Sequence, residues 1–179
     1  MEQKDGVLEE RRSQKWTAAG ESQPTILLPS RLPTAWDNGR LMNPQQYVQE
    51  KAAASGSSFY YAFLFMPEQR RQAITAFYAF CREIDDVVDE VTDPGVAHTK
   101  LAWWRGELAK AFAGEPSHPV TKALMPHAAA FGITQAPLQS VIDGCEMDLS
   151  QTRYLDYPNL QRYCHLVAGV VGEVAARIF

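Results

Sequence analysis

From Glu68 to Glu90 the chain contains neither proline nor glycine. An unbroken run of that length is too long for a strand and reads as one helix, opened by Pro67. Alternating strand patterns of useful length are absent elsewhere, so the expected class is all-α. Asn43 before Pro44 supplies an N-cap and a first helical residue, predicting a helix over about 44–54. Ser55-Gly56-Ser57-Ser58 breaks it. Thr92-Asp93-Pro94-Gly95 reads as the turn that ends the long helix. Further helices fit about 98–113, 117–131 and 135–154, bounded by Gly114-Glu115-Pro116, Gly132 and Pro137. A last helix starts near Pro158-Asn159 and runs to Phe179, where no C-cap residue follows. That apolar end reads as a cut chain.

Residues 1–43 differ in character. They are polar, interrupted by Pro24, Pro29 and Pro33, and show no periodicity, so a disordered polar extension is expected there. No internal repeat is visible. The N-terminus lacks an apolar leader core, and the longest apolar windows, Phe59–Met66 and Val167–Val171, are too short to span a bilayer. The expectation is a cytoplasmic protein. A net charge of −4 gives nothing to attract nucleic acid. The three cysteines, Cys81, Cys145 and Cys164, have no CxxC spacing. They read as small buried hydrophobes in a reducing compartment.

Chemistry concentrates at the end of the long helix, in Cys81-Arg82-Glu83-Ile84-Asp85-Asp86-Val87-Val88-Asp89-Glu90. At about 100° per residue, Tyr78, Arg82, Asp85 and Asp89 share one face, flanked by Ile74 and Cys81. A half-apolar face should turn inward, which makes the Asp85/Asp89 like-charge pair costly. A bound cation relieves that cost. Magnesium suits it, because it takes one or two carboxylates and completes its shell with water and phosphate oxygens. Arg82 could pair with phosphate directly. A solvated acidic helix end would carry the same spacing.

Just upstream, Ser55-Gly-Ser-Ser-Phe-Tyr-Tyr-Ala-Phe63 offers hydroxyls and backbone N–H groups to a diphosphate. Phe59, Tyr60, Tyr61 and Phe63 could line a hydrocarbon channel, or simply anchor a loop in the core. An iron-carboxylate bundle is excluded, since none of His98, His118, His127 and His165 completes a Glu-x-x-His pair. No GxGxxG nicotinamide fingerprint is present.

Three segments in order resemble the squalene/phytoene synthase family. These are GSSFYYAFLFMPEQRRQAITAFYAFCREIDDVVDE at residues 56–90, Gly144-Cys-Glu-Met-Asp-Leu149 with Arg153-Tyr154, and Tyr163-Cys-His-Leu-Val-Ala-Gly-Val-Val-Gly-Glu173. The resemblance implies an isoprenoid-synthase-type helical bundle around a central cavity, with residues 44–179 forming its N-terminal portion. The REIDDVVDE style looks most like bacterial presqualene diphosphate synthases of the hopanoid pathway, and phytoene synthases share the same skeleton. Carried over residue by residue, Asp85 and Asp89 match metal-binding aspartates, with Asp86 between them. Tyr78 and Arg82 match residues beside the diphosphate. Ser58, Phe59 and Tyr61 match substrate-loop positions. Val167, Ala168, Gly169, Val171 and Gly172 match the small-residue wall beside the prenyl tails, though helix packing would ask for the same small residues. Glu146, Asp148 and Arg153 sit in the middle motif, where Cys145 replaces the usual methionine.

The implied activity is a magnesium-dependent prenyltransferase joining two molecules of farnesyl diphosphate head to head. Departure of diphosphate leaves an allylic cation, and ring closure gives presqualene diphosphate. Tyr78 could steady charge or relay a proton. Such a protein could associate peripherally with a membrane and with downstream isoprenoid enzymes. The family's second aspartate motif has no counterpart here: Asp93, Asp143, Asp148 and Asp156 form no DxxxD. The expectation is therefore a fragment, inactive alone. A phytoene synthase acting on geranylgeranyl diphosphate, or a non-catalytic prenyl-diphosphate binder if the chain is complete, are the alternatives.

Overall fold

The computed structural model describes residues 43–151 and 153–179. Every regular element among them is helical: α1 Pro44–Ala54, α2 Ser58–Phe63, α3 Glu68–Glu90, α4 Pro94–Phe112, α5 Pro119–Ala128, α6 Gln135–Ser150, α7 Tyr157–Cys164 and α8 Val170–Ile178. A π-helical stretch, His165–Gly169, joins α7 to α8. The expected extension over residues 1–43 lies outside the described residues, except for Asn43. The Asn43 side chain accepts a hydrogen bond from the Gln45 N–H at 3.0 Å and caps α1. No helix among the described residues is long and apolar enough to cross a membrane.

Most differences from the sequence reading lie at helix ends, and each has a local cause. Asp93 does not close a turn; it accepts from the N–H groups of Gly95 and Val96 at 2.7 and 3.1 Å and opens α4 at Pro94. The helix expected from residue 98 therefore starts one turn earlier. Pro67 opens α3 as expected, standing as its N-cap. The segment read as 117–131 shrinks to Pro119–Ala128, because His118 is the N-cap and Gly132 adopts a φ of 60°. The helix expected to reach residue 154 stops at Ser150, where Gln151 turns extended. The substrate-loop segment holds a short helix, α2, capped by Ser57, whose Oγ accepts from the Phe59 N–H at 3.2 Å. The expected single final helix is divided by the π-helical turn.

Helix α3 is the hub, packing against α1, α4, α5, α6 and α8. Its Phe77, Phe80 and Ile84 are fully buried with Leu101 and Leu108 of α4, Leu124 of α5, and Leu138 and Ile142 of α6. Each such side chain contributes roughly 1.5–3 kcal/mol of burial, so the rotation of α3 about its axis is fixed by its apolar face. Phe80 meets Trp104 edge-on at 5.8 Å. Fixing that face fixes where the polar residues of α3 point. Cys145 is buried and Cys81 half-buried, as small apolar residues are. Cys164 is exposed, contrary to expectation, because α7 buries none of its residues.

The approach of α6 to the π-helical stretch depends on Gly144. A Cβ there would lie 2.8 Å from Val167 Cγ1 and 2.9 Å from Leu166 Cβ. Gly144→Ala must push the two elements apart, and an overpacking cost of about 1–3 kcal/mol is expected. A lower unfolding midpoint in urea would register it; an unchanged midpoint would show that the contact is slack.

Candidate active site

The apolar anchoring of α3 leaves Tyr78, Arg82, Asp85 and Asp89 on one side of the bundle. Nothing among the described residues encloses this face fully: the Asp85 side chain is 40% exposed and Asp89 is exposed. The expectation of an inward-turned face thus holds for Tyr78, Arg82 and Asp85, which are partly buried, and not for Asp89.

Arg82 is the organising cation. Its guanidinium spans two carboxylates, giving Nη1 to Asp85 Oδ2 and Nη2 to Asp86 Oδ1, both at 2.8 Å. The other oxygen of Asp86 meets Lys51 Nζ at 2.6 Å. Lys51 also reaches Glu83 Oε1 at 3.1 Å, and the Tyr47 hydroxyl donates to the same oxygen at 2.7 Å. Asp86 is thus committed on both oxygens, tying α3 to α1. These partners, together with burial that works against them, leave the Lys51 ammonium above its usual range.

Asp85 behaves differently. Burial, then repulsion from Asp89, pushes its carboxyl up; Arg82 opposes this, while Asp86 and Asp148 add to it. Asp89 makes no hydrogen bond or ion pair with the described residues. Two carboxylates a helical turn apart, one destabilised in its charged form, are a site that gains from a divalent cation. No group of three or more His, Cys, Asp or Glu side chains converges on one point among the described residues. The donor set is therefore half a shell of hard oxygens, which fits magnesium, an ion that completes its coordination with water and phosphate. Asp85 and Asp89 are the residues that would hold it, and the pairing of Asp86 with Lys51 and Arg82 leaves it to position them.

The Ser55–Phe63 segment is tied to this face. The Tyr78 hydroxyl donates to Ser55 Oγ at 3.1 Å, and Ser55 Oγ donates to the Ala52 carbonyl and accepts from the Ser57 N–H. Phe63 is buried and meets the Tyr78 ring edge-on at 5.7 Å. Ser58 is exposed, as are Phe59 and Tyr61, at 58% and 52%, while Tyr60 is half-buried. The aromatics therefore divide: Phe63 is a core anchor, and Phe59 and Tyr61 offer open apolar surface.

The π-helical stretch carries Val167, Ala168 and Gly169, and α8 carries Val171 and Gly172. Ala168 and Gly172 are exposed, and a Cβ at Gly172 would meet nothing within 4 Å. Packing among the described residues does not require that glycine. Gly169 differs, since a Cβ there would meet His165 Nδ1 at 2.9 Å. π-Turns of this kind recur at functional sites.

Two residues of the middle motif lead elsewhere. Glu146 pairs with Arg105 at 2.7 Å and His98 at 3.0 Å, and Arg105 also holds Asp143 at 2.6 Å. The Arg105 bond is the main reason the Glu146 carboxyl sits below its ordinary range. This network joins α4 to α6. Arg153 is exposed. Asp148, by contrast, lies close enough to Asp85 to repel it, and its Oδ2 accepts from the Tyr163 hydroxyl at 2.9 Å. Tyr163 had no assigned role in the sequence reading. The signal was present, since it opens the YCxxVAGxVG segment, but nothing in one dimension links it to Asp148.

A family model described as squalene/phytoene synthase matches residues 52–179. The 15-cis-phytoene synthase of Synechococcus elongatus is 40% identical over 135 residues, covering 74% of this chain and 43% of the relative. That of Synechocystis is 30% identical over 169 residues, covering 93% and 50%. Among solved structures, a squalene synthase from Alicyclobacillus acidocaldarius matches with a TM-score of 0.67 at 28% identity, over 76% of this chain and 51% of that one. A dehydrosqualene synthase in complex with ligand matches at 0.62 and 29%, over 75% and 49%. The chain spans about half or less of the length of these relatives.

Proposed function

Because the chain belongs to the squalene/phytoene synthase family, we propose that the protein it represents is a prenyltransferase condensing two allylic prenyl diphosphates head to head. One observation carries the reading: Asp85, Asp89 and Arg82 share a face of α3 that is hydrogen-bonded, through Tyr78, to a serine-rich segment that carries the exposed aromatics Phe59 and Tyr61. That arrangement suits a substrate with a polyanionic head and an apolar tail.

In this reading Arg82 binds the departing diphosphate, turning one of its N–H donors from a carboxylate to a phosphate oxygen. Ser58 supplies a further hydroxyl. Magnesium held by Asp85 and Asp89 would supply electrostatic stabilisation of the leaving diphosphate. Phe59, Tyr61 and the small-residue face of Ala168 and Gly172 take the prenyl chains and keep water from the allylic cation. Tyr78, its hydroxyl oriented by Ser55, steadies charge next to Arg82. The C1′–C1 link forms when the double bond of the second substrate attacks the cation, and proton loss then closes the cyclopropane.

Two substrates fit. Farnesyl diphosphate, giving presqualene diphosphate, is the reading drawn from the REIDDVVDE style. Geranylgeranyl diphosphate, giving phytoene, is favoured at least equally by relatives named phytoene synthases. A full-length enzyme offered each diphosphate, with and without magnesium, should form a head-to-head product with one of them in the magnesium arm. Mass spectrometry identifies which. Binding without any condensed product from either would leave a non-catalytic prenyl-diphosphate binder.

A further inference from the structure

Lys51 has no role in the reaction outlined above, yet it sits behind the residues that do. It lies in the last turn of α1, shortly before Ser55, which accepts the Tyr78 hydroxyl. Its ammonium bridges two side chains of α3, Asp86 Oδ2 at 2.6 Å and Glu83 Oε1 at 3.1 Å, and the Lys51 side chain is only 16% exposed. From Arg82 to Glu90, α3 carries five acidic side chains and one basic one. Such a segment repels a polyanionic head unless its carboxylates are offset. In the reading above, magnesium offsets Asp85 and Asp89. Asp86 relies on cations of the protein itself, with Oδ1 on Arg82 at 2.8 Å and Oδ2 on Lys51. Were Lys51 absent, Arg82 would have to serve Asp85, Asp86 and the substrate together.

We propose that Lys51 is a positioning residue for diphosphate binding that acts through Asp86, offsetting that carboxylate's charge so that Arg82 stays available to phosphate. This inference rests on the prenyl-diphosphate reading of the face. With Asp86 shared, the Nη1 prong of Arg82 can leave Asp85 for a phosphate oxygen while Nη2 keeps its anchor. Without Lys51, Asp86 is an unshared negative charge beside the substrate head and claims the guanidinium. A charge-assisted bond between partly buried groups is strong enough to decide this, where one in open water is not. The competing account is a mere tie between α1 and α3. Tyr47 supplies the comparison, because its hydroxyl donates to Glu83 Oε1 at 2.7 Å and joins the same two helices through a different carboxylate.

The test titrates the full-length enzyme with inorganic diphosphate and magnesium by calorimetry, beside steady-state kinetics and thermal melts. Lys51→Met should weaken diphosphate binding and raise KM for the prenyl diphosphate about tenfold, the size of one lost bond to a charged group, with a smaller change in kcat. Adding Asp86→Asn should restore most of that binding, because asparagine keeps an oxygen for Arg82 and removes the charge. Tyr47→Phe should lower the melting midpoint and leave binding nearly unchanged. Should Lys51→Met melt below the assay temperature, Lys51→Gln, which keeps an N–H donor and loses the charge, should show the same loss. The inference is overturned if the folded Lys51 variant binds diphosphate as wild type does, or if the double variant is no better than the single. Equal weakening by Tyr47→Phe would overturn it too, leaving only the tie between helices. A wild type that shows this binding pattern but forms no head-to-head product loses the catalytic reading alone. One that binds no diphosphate overturns both.

Discussion

In the full-length enzyme, Asp85→Asn should lower turnover by about 10³-fold, equivalent to about 4 kcal/mol of lost stabilisation at the leaving diphosphate. The same change should not weaken the fold. Burial and the neighbouring charges of Asp89, Asp86 and Asp148 already disfavour the Asp85 carboxylate. Its pair with Arg82 is formed by side chains 31% and 40% exposed, where an ion pair is worth about 0–1 kcal/mol. Removing the charge therefore relieves about as much as it forfeits, and the melting midpoint should hold or rise. Asp89→Asn should follow the same pattern. Asp86→Asn should reverse it: Lys51 and Arg82 both lose a charged partner in a site where Lys51 and Asp86 are only 16% exposed. The fold should weaken by about 1–3 kcal/mol, with a smaller direct effect on kcat. Steady-state kinetics beside thermal melts separates the two patterns. Turnover within tenfold of wild type for Asp85→Asn would remove the aspartate face from the chemistry.

Much of this was legible in one dimension. The breaker-free stretch before Glu90 gave α3, and helical periodicity placed Tyr78, Arg82, Asp85 and Asp89 together because spacing along a helix is geometry. Asn43-Pro44 announced α1 for the same local reason. What escaped notice depended on distance in space. Asp93 looked like a turn residue because an N-cap and a turn use the same side-chain acceptor, and only the path of the following chain tells them apart. The pairing of Asp86 with Lys51, from another helix, is a contact that spacing along one helix cannot show. The Tyr163–Asp148 bond joins two helices, and the π-turn after it has no composition of its own. Gly144 and Gly172 looked alike as small residues. One makes room for Val167 and Leu166, and the other faces open space among the described residues.

The largest effect on the fold is expected far from the aspartates, at Glu107. This α4 side chain is 2% exposed. It accepts from the N–H groups of Ser117 and His118, both at 2.8 Å, and from the hydroxyls of Ser117 and Thr121. Burial alone would raise its carboxyl, but these donors outweigh it and hold the group below its ordinary range. Glu107→Ala leaves four donors without their acceptor, the Thr121 hydroxyl among them buried, and a loss of about 3–5 kcal/mol is expected, a large share of the total stability of a domain this size. Glu107→Gln keeps an oxygen but turns an amide donor towards other donors, so it should also destabilise, by less. The pH dependence has a definite sign. A folded-state carboxyl held low contributes stability that is present above the unfolded value and is lost as pH falls through the folded one. Wild type should therefore weaken on acidification more steeply than Glu107→Gln. The consequence reaches the site, because Glu107 fixes His118, whose ring meets Tyr47 at 5.6 Å, and Tyr47 bonds the Glu83 that shares Lys51 with Asp86. Loosening the α4–α5 turn should reduce kcat modestly as well. Urea unfolding of Glu107→Ala across pH checks both parts, and a midpoint close to wild type would mean that the turn is held by its apolar contacts instead.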